Sequence, residues 1–246
     1  DGQLLTRSEI IAAVWPGADP SGVSDEAVDG LVKRLRQRLR EDPSARERRR
    51  LLRQWQAERL QRTHADLLAD ARYGKAARFF VDDLYSAEDA GERDAAVARA
   101  VPSLSKMLPP SGVETVADAI ELDALSESLD AAMASAMAEG APLDARAYAQ
   151  AYRAVGRPED RARQIALIES LGASLDHLTR LPLIGATLKL MRKPARLAGL
   201  GELQAFLERG YDAFRAMGRS EEFVARVAAR ERALMRAWFA GENPEA

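Results

Sequence analysis

Five closely spaced cations are the side chains of this sequence with the clearest chemical use: Lys33, Arg34, Arg36, Arg38 and Arg40. The same stretch carries apolar residues at three- and four-residue steps, which predicts a helix that begins after Ser24. These apolar residues are Val28, Leu31, Val32, Leu35 and Leu39. Cations on the other face of such a helix are suited to contacts with phosphates and base edges. The spacing therefore predicts that residues 24–40 bind DNA through these five cations.

The segment before this helix supports the same interpretation. Thr6 and Glu9 fit a capping box and predict a helix from Arg7 to Trp15. Prolines and glycines then hold the chain open, at Pro16, Gly17, Pro20 and Gly22. Two helices joined in this way form a helix-turn-helix, in which the second helix meets DNA.

A second basic run follows, with Arg46, Arg48, Arg49, Arg50 and Arg53. Between Lys33 and Arg62 there are 12 basic and 4 acidic residues, although the net charge of the whole chain is −2. Such a run is either a solvated helix face or, beside a DNA-binding helix, a further set of phosphate contacts. The sequence leaves these two alternatives evenly balanced.

Carboxylates cluster on a later predicted helix, at Glu121, Asp123, Glu127 and Asp130. The last three share one helical face, but helical di-iron sites need Glu-x-x-His pairs, and neither His64 nor His177 stands three residues after a glutamate. We therefore predict a solvated acidic face, with no metal and no cofactor. The chain also has no cysteine and no Gly-x-Ser-x-Gly motif. No catalytic residue is assigned, and the protein is not predicted to be an enzyme.

Phe79 and Phe80 stand side by side in a helical stretch, so their side chains point about 100° apart. A helix that buries both must be central, which favours core packing over a ligand-stacking pair. The charged residues around this pair could form a buried cluster of structural role, and they are Arg72, Arg78, Asp82 and Asp83.

Helical periodicity continues through the chain, and no strand-type alternation appears after Ala45. The predicted helices cover residues 46–69, 72–85, 88–108 with a break at Pro102, 111–139, 144–155, 158–179, 183–192, 200–217 and 220–239. One set of large apolar residues is expected to be buried together: Trp55, Phe79, Phe80, Leu122, Leu125, Leu129, Phe206 and Phe214. The predicted fold is all-α, with a partial helix-turn-helix or winged-helix remnant at residues 1–44 and a multi-helix, bundle-like domain at 45–246.

Composition agrees with a globular protein of this kind. The chain has 246 residues, of which 47% are hydrophobic and 30% are charged, so a sizeable core is affordable. No apolar run approaches the roughly 18 residues of a membrane span, and the first residues show no signal-peptide pattern. We therefore predict a cytoplasmic protein with no membrane partner.

Residues 4–43 also resemble a known family. LLTRSEIIAAVWPG followed by VSDEAVDGLVKRLRQRLREDP resembles the positioning and recognition helices of the OmpR/PhoB-type winged-helix DNA-binding domain. That family ends its recognition helix with a hydrophobic-x-RLR-x-x-L run and the preceding helix with Trp-Gly or Trp-Pro-Gly. The resemblance is partial, since it covers these two helices and not the β-hairpin wing. It implies that Lys33, Arg34 and Arg36 meet phosphates and base edges in the major groove.

The rest of the chain, about residues 46–246, resembles the bacterial FFLEE-motif proteins. The matching segments are RYGKAARFFVDDLYSAEDAGERD, ADAIELDALSESLD and KPARLAGLGELQAFLERGYDAFRAMG, with Val81, Asp82 and Asp83 where the family has Leu-Glu-Glu. This resemblance implies a helical fold and no assigned activity.

Together these patterns predict a DNA-binding transcriptional regulator with a C-terminal helical domain of unknown role. The DNA would be held mainly through its phosphates, and the helical domain would bind a protein partner or a second copy of the chain. The alternative is a helical protein-interaction module whose N-terminal segment is vestigial or a fragment.

Overall fold

The computed structural model describes residues 43–84, 110–137, 142–197 and 199–244, and within these ranges the protein is all-α, without a β-strand. The helices are α1 Pro43–Thr63, α2 Ala65–Ala69, α3 Gly74–Arg78, α4 Pro110–Ala136, α5 Ala145–Val155, α6 Pro158–Arg180, α7 Ile184–Leu197, α8 Gly201–Met217 and α9 Glu221–Ala240. A π-helical turn, Phe79–Leu84, continues α3. The predicted all-α body is thus confirmed. The helix predicted over 88–108 lies outside the described residues.

Local sequence explains several of these boundaries. Asp144 caps α5, because its carboxylate accepts a hydrogen bond of 2.8 Å from the backbone N–H of Ala147. Pro158 occupies the first turn of α6, where the missing N–H has no helical partner to lose. Helix α7 continues through Pro194 to Leu197, beyond its predicted end at residue 192. Proline has no N–H group, so one carbonyl group of the preceding turn receives no helical hydrogen bond. Pro194 is exposed, so water can solvate that carbonyl group.

The helix predicted over 46–69 is instead divided at His64, which takes φ −114° and ψ 23° between α1 and α2. The His64 side chain is buried, and its Nε2 lies 3.1 Å from Oε1 of Glu231 on α9. The division coincides with a tertiary contact across 167 residues, which helical periodicity does not encode.

The described helices enclose two separate apolar cores. The first lies between α1, α4, α5 and α9 and contains Leu52, Trp55, Met133, Tyr148, Ala149, Ala151, Tyr152 and Trp238. Its centre is aromatic, since Trp55 stacks on Tyr148 with 3.9 Å between ring centroids and Trp238 packs against both tyrosines. This core fixes α1 and α5 to the C-terminal half of α9.

The second core lies between α2, α3, α8 and the N-terminal half of α9. It contains Leu67, Tyr73, Ala76, Ala77, Phe214, Met217, Phe223 and Val224, with Phe80 packed against it. The ring of Phe80 lies 5.8 Å from those of both Phe214 and Phe223. Phe79 is 6% exposed and packs on Phe206. The prediction that these two residues pack in the interior is confirmed for Phe79, while Phe80 is partly buried and packs against the second core.

The expectation of one common core is wrong. Trp55 belongs to the first core and Phe214 to the second, while Leu122 and Leu125 are only partly buried. Helix α9 contributes Trp238 to the first core and Phe223 and Val224 to the second. Apolar residues that recur along one helix are thus divided between the two cores.

The carboxylate–arginine cluster expected around the two phenylalanines is not formed by the described side chains. Arg72 donates hydrogen bonds to the carbonyls of Met217 and Arg219, both at 2.9 Å, and Arg78 donates to the carbonyl of Leu68 at 3.0 Å. Asp82 is exposed. These arginines therefore bind backbone carbonyls of neighbouring segments rather than carboxylates.

Candidate functional site

The predicted DNA-binding cations Lys33, Arg34, Arg36, Arg38 and Arg40 lie outside the described residues. So does the helix predicted from Arg7 to Trp15. The helix-turn-helix remains a prediction from sequence, and the site is sought here in the described helical body.

Three arginines of α1 contact α4 inside the protein. Arg53 forms an ion pair with Glu127 on α4, and Arg49 lies 3.4 Å from the same carboxylate. The Arg48 Nε donates a hydrogen bond of 3.0 Å to the carbonyl of Ala134. The sequence left a solvated face and a set of phosphate contacts as alternatives for this basic run. Neither describes these three arginines, because their side chains face α4. Arg50 is different: it is exposed and pairs with Glu47 on its own helix.

The carboxylates that receive these arginines were predicted to form a solvated face, and for Glu127 and Asp130 that prediction is wrong. Both side chains are only 13% exposed. Asp130 accepts a hydrogen bond of 3.1 Å from Gln56 and lies 3.6 Å from the Arg53 Nε. Burial raises the pKa of Asp130 above its ordinary value, against the opposing effects of Gln56 and the nearby arginines. The acidic face of α4 is thus a charged seam against α1.

A second polar cluster holds the end of α1 to α9. Arg59 contacts both oxygens of Glu231, at 2.5 and 2.7 Å, and His64 contacts the same carboxylate. Burial tends to raise the pKa of Glu231, but the Arg59 charge and the hydrogen bonds from His64 and Arg59 outweigh it and lower the pKa to about 2. Arg59 also lies over the ring of Trp238, 5.6 Å from its centroid. The cluster joins the polar end of α1 to the first core.

Nothing in these arrangements points to catalysis. Glu127, Asp130 and Glu231 are all engaged by arginines, which suits them to hold helices together. In the part of the chain that the structure describes, no group of three or more His, Asp or Glu side chains could hold a metal ion.

An open cleft of about 320 Å³ lies between α5 and the end of α9, lined by Arg146, Ala149, Gln150, Arg153, Gly241 and Asn243. Arg153 donates a hydrogen bond of 3.4 Å to the carbonyl of Trp238 in the last turn of α9. A cation at this position complements the carbonyl end of a helix, which accounts for Arg153 without a ligand.

The most exposed large apolar side chains of the described chain lie on α7 and directly before it. Leu183, Leu190 and Leu197 are 77%, 79% and 91% exposed, and we refer to these three residues as the leucine stripe. Leu190 and Leu197 are seven residues apart, so they lie in one row along α7, and Leu183 immediately precedes its first residue. The opposite side of α7 packs on α8, where Gln204 donates a hydrogen bond of 2.7 Å to the carbonyl of Leu188. The stripe therefore faces away from the protein.

Cations border the stripe. Helix α7 contains Lys189, Arg192, Lys193 and Arg196 and no acidic residue. Arg192 is bound by both oxygens of Glu208 on α8, each at 2.7 Å, and together with Gln204 it lowers the pKa of Glu208 to about 2. The other three cations are exposed. Lys189 also acts on Glu208 through its charge, so the exposed side of α7 combines a narrow apolar row with the positive charges of Lys193 and Arg196.

The first residue of the stripe also has an unusual backbone. Leu183 has φ 76°, in the left-handed region that a bulky side chain rarely adopts. Sequence reasoning placed Leu183 at the start of a helix and did not identify the stripe. The seven-residue spacing of the three leucines was visible in the sequence, but whether another helix covered that side was not.

Within the described ranges, no helix combines the length and the apolarity needed to cross a bilayer.

A family model described as a domain of unknown function (DUF8198) matches residues 35–245. The match begins within the predicted DNA-binding helix and extends over the whole described body. No curated protein and no solved structure matches the chain.

Proposed function

The chain belongs to the family described as domain of unknown function DUF8198, and from the surface of its helical body we propose that it is a protein-interaction module. In this proposal the leucine stripe of α7 docks an amphipathic helix of a partner protein.

The observation that carries the proposal is the exposure of three leucines, two in one row on α7 and one directly before it, while the opposite side of this helix is packed. Single exposed apolar residues are ordinary on protein surfaces, but a row bordered by polar groups is typical of an interaction site. Burying a leucine side chain completely contributes roughly 1.5–3 kcal/mol, so three leucines here and three on the partner helix contribute roughly 9–18 kcal/mol, against association costs of roughly 4–15 kcal/mol. A helix that presents apolar residues at matching intervals is the complementary surface.

A synthetic helical peptide tests this function directly. The peptide carries leucines at seven-residue intervals and equal numbers of Glu and Lys at the flanking positions, and its fluorescence anisotropy is measured on addition of the full chain. We expect micromolar binding that weakens at least tenfold with Leu190→Gln.

The matched control is Leu51→Gln, which changes a leucine of α1 that is 36% exposed. This variant should bind the peptide like the wild type. Absence of peptide binding by the wild type, or equal binding by the Leu190→Gln protein, would refute the docking function.

A second candidate function is DNA binding by residues 1–44, the winged-helix remnant proposed from sequence. It is favoured by the five cations on one side of the predicted helix and by the resemblance to OmpR/PhoB-type recognition helices. Combined with the docking function, it makes the protein a transcriptional regulator of the bacterial cytoplasm that recruits a partner to DNA.

Anisotropy with a labelled DNA duplex at several salt concentrations tests this second function. With three to five phosphate contacts, log affinity against log salt should have a slope of about −3 to −4.5. Arg34→Ala should make the slope shallower by about one if its partner is a phosphate. If the wild type does not bind the duplex at low salt, this function is excluded for the chain and the interaction module alone stands.

A further inference from the structure

We propose that the partner helix on the leucine stripe is acidic, with Glu or Asp side chains placed against Lys189, Lys193 and Arg196. This inference rests on the proposed docking function and adds the charge and dimensions of the partner.

The charge of the surface is the first argument. Of the four cations of α7, Arg192 is neutralised by Glu208 on α8. Lys193 and Arg196 form no salt bridge with any described residue, and both are exposed. Positive charge on one side of an apolar row attracts a partner of opposite sign and repels one of the same sign. An acidic helix satisfies both the row and its border.

The shape of the surface is the second argument. The stripe is one residue wide, with Thr187 and Pro194 on one side and the cations on the other. A seven-residue interval such as that from Leu190 to Leu197 is typical of the narrow seam of paired helices, whereas helices that lie on membranes have a broad apolar face. Helix α7 has 14 residues and is about 21 Å long, at 1.5 Å per residue. It accommodates about four turns of one partner helix.

The same observations disfavour the other occupants. A second copy of the chain would bring another α7 with four cations and no carboxylate, and like charges within about 10 Å repel at physiological salt. An anionic membrane would satisfy the cations, but a row of single leucines without an aromatic residue offers it little surface to insert.

Two further peptides test the inference with the full-length chain. Both carry the same leucines at seven-residue intervals, but one has only Glu at the flanking positions and the other has only Lys. In fluorescence anisotropy at 50 mM salt, the Glu peptide should bind about tenfold more tightly than the Lys peptide, and the difference should shrink at 300 mM salt. The double variant Lys193→Glu, Arg196→Glu should reverse the preference.

The matched control is Lys75→Glu, a charge reversal at an exposed residue of α3, which should leave the preference unchanged. Circular dichroism shows whether each variant is folded, and the binding of the Lys peptide by the double variant shows that the stripe is intact. If the Glu and Lys peptides bind the wild type equally, the acidic-partner inference is overturned while helix docking stands.

Other outcomes would contradict the docking of a partner helix as well. If no peptide binds, including the one with balanced flanks, both the inference and the docking function fail. If instead phosphatidylglycerol vesicles bind the wild type and not Leu190→Gln, the stripe is a membrane surface. If light scattering shows a dimer that Leu190→Gln dissociates, the occupant is a second copy.

Discussion

Replacing Glu231 by glutamine removes the charge at the centre of the cluster that joins α1 to α9. The carboxylate is 14% exposed, and its two partners, Arg59 and His64, are 8% and 6% exposed. The variant would leave the buried Arg59 charge without this carboxylate. Removing one member of a buried ion pair typically costs about 3–5 kcal/mol.

The pKa of Glu231 gives a second measure of the same quantity. A carboxyl group whose pKa is about 2 in the folded state, against an ordinary value of 4.5, stabilises the fold by about 3 kcal/mol at pH 7. The two measures agree, so we expect Glu231→Gln to lower the free energy of unfolding at pH 7 by about 3 kcal/mol.

The pH dependence has a definite sign. Because the folded-state pKa is lowered, the stabilisation by Glu231 is present above pH 4.5 and is lost as the pH falls towards 2. The difference between the wild type and the variant should therefore decrease to about 1.4 kcal/mol at pH 3.

Urea denaturation at pH 7, 4 and 3 measures these differences. Glu169→Gln is the matched control. Glu169 pairs with Arg232 of α9, the helix that also carries Glu231, but both side chains of this pair are about one-third exposed. The Glu169→Gln change should lower the free energy of unfolding by less than about 1 kcal/mol. A loss below 1 kcal/mol for Glu231→Gln at pH 7, or a loss that does not change between pH 7 and 3, would contradict the electrostatic role of the cluster.

Three further changes test the packing and the charged seam. Phe80→Ala should lower the free energy of unfolding by roughly 3–5 kcal/mol in urea denaturation, because the ring packs against other aromatic rings of the second core; a loss below 1 kcal/mol would show that it is not a core residue. Gly210→Ala would place a Cβ 2.8 Å from the Cζ of Phe79 and should cost about 1–3 kcal/mol, whereas Gly201→Ala meets only a flexible side-chain carbon at 3.7 Å and should be nearly neutral in the same assay. Asp130→Asn should change the free energy of unfolding by less than about 1 kcal/mol at pH 7, because burial raises the pKa of the carboxyl group and its charged form gains little. Any gain in stability of the variant over the wild type should grow as the pH rises above 3.8. A variant that is about 3 kcal/mol less stable would show that the ion pair with α1 is strongly stabilising.

The sequence predicted the helical elements closely, because helix formation depends on features within a few residues. The predicted segments 158–179, 200–217 and 220–239 correspond to α6, α8 and α9 within one residue at each end. Their boundaries are set by proline and glycine residues and by apolar side chains at three- and four-residue steps, all of which are local. The division at His64 was missed, since it coincides with a contact to a residue on α9.

The roles of the charged residues were harder to predict. Arg49, Arg53 and Glu127 each look like part of a solvated helix face when their own segment is considered alone. In the structure the two faces meet, although they are more than 70 residues apart in sequence, and the charges neutralise one another. A charge pattern identifies residues that share a face, but it does not show whether another charged face covers them.

Local sequence features were sufficient to predict an all-α body, the ends of most of its described helices, and the burial of Phe79 and Phe214. The two cores, the pairing of Arg49 and Arg53 of α1 with Glu127, and the exposure of the leucine stripe follow from tertiary packing. Helical periodicity is a local property, whereas burial depends on which two faces pack together. Leu183, Leu190 and Leu197 have the sequence spacing of a buried row, and only the packing of the opposite side of α7 on α8 leaves their side chains exposed.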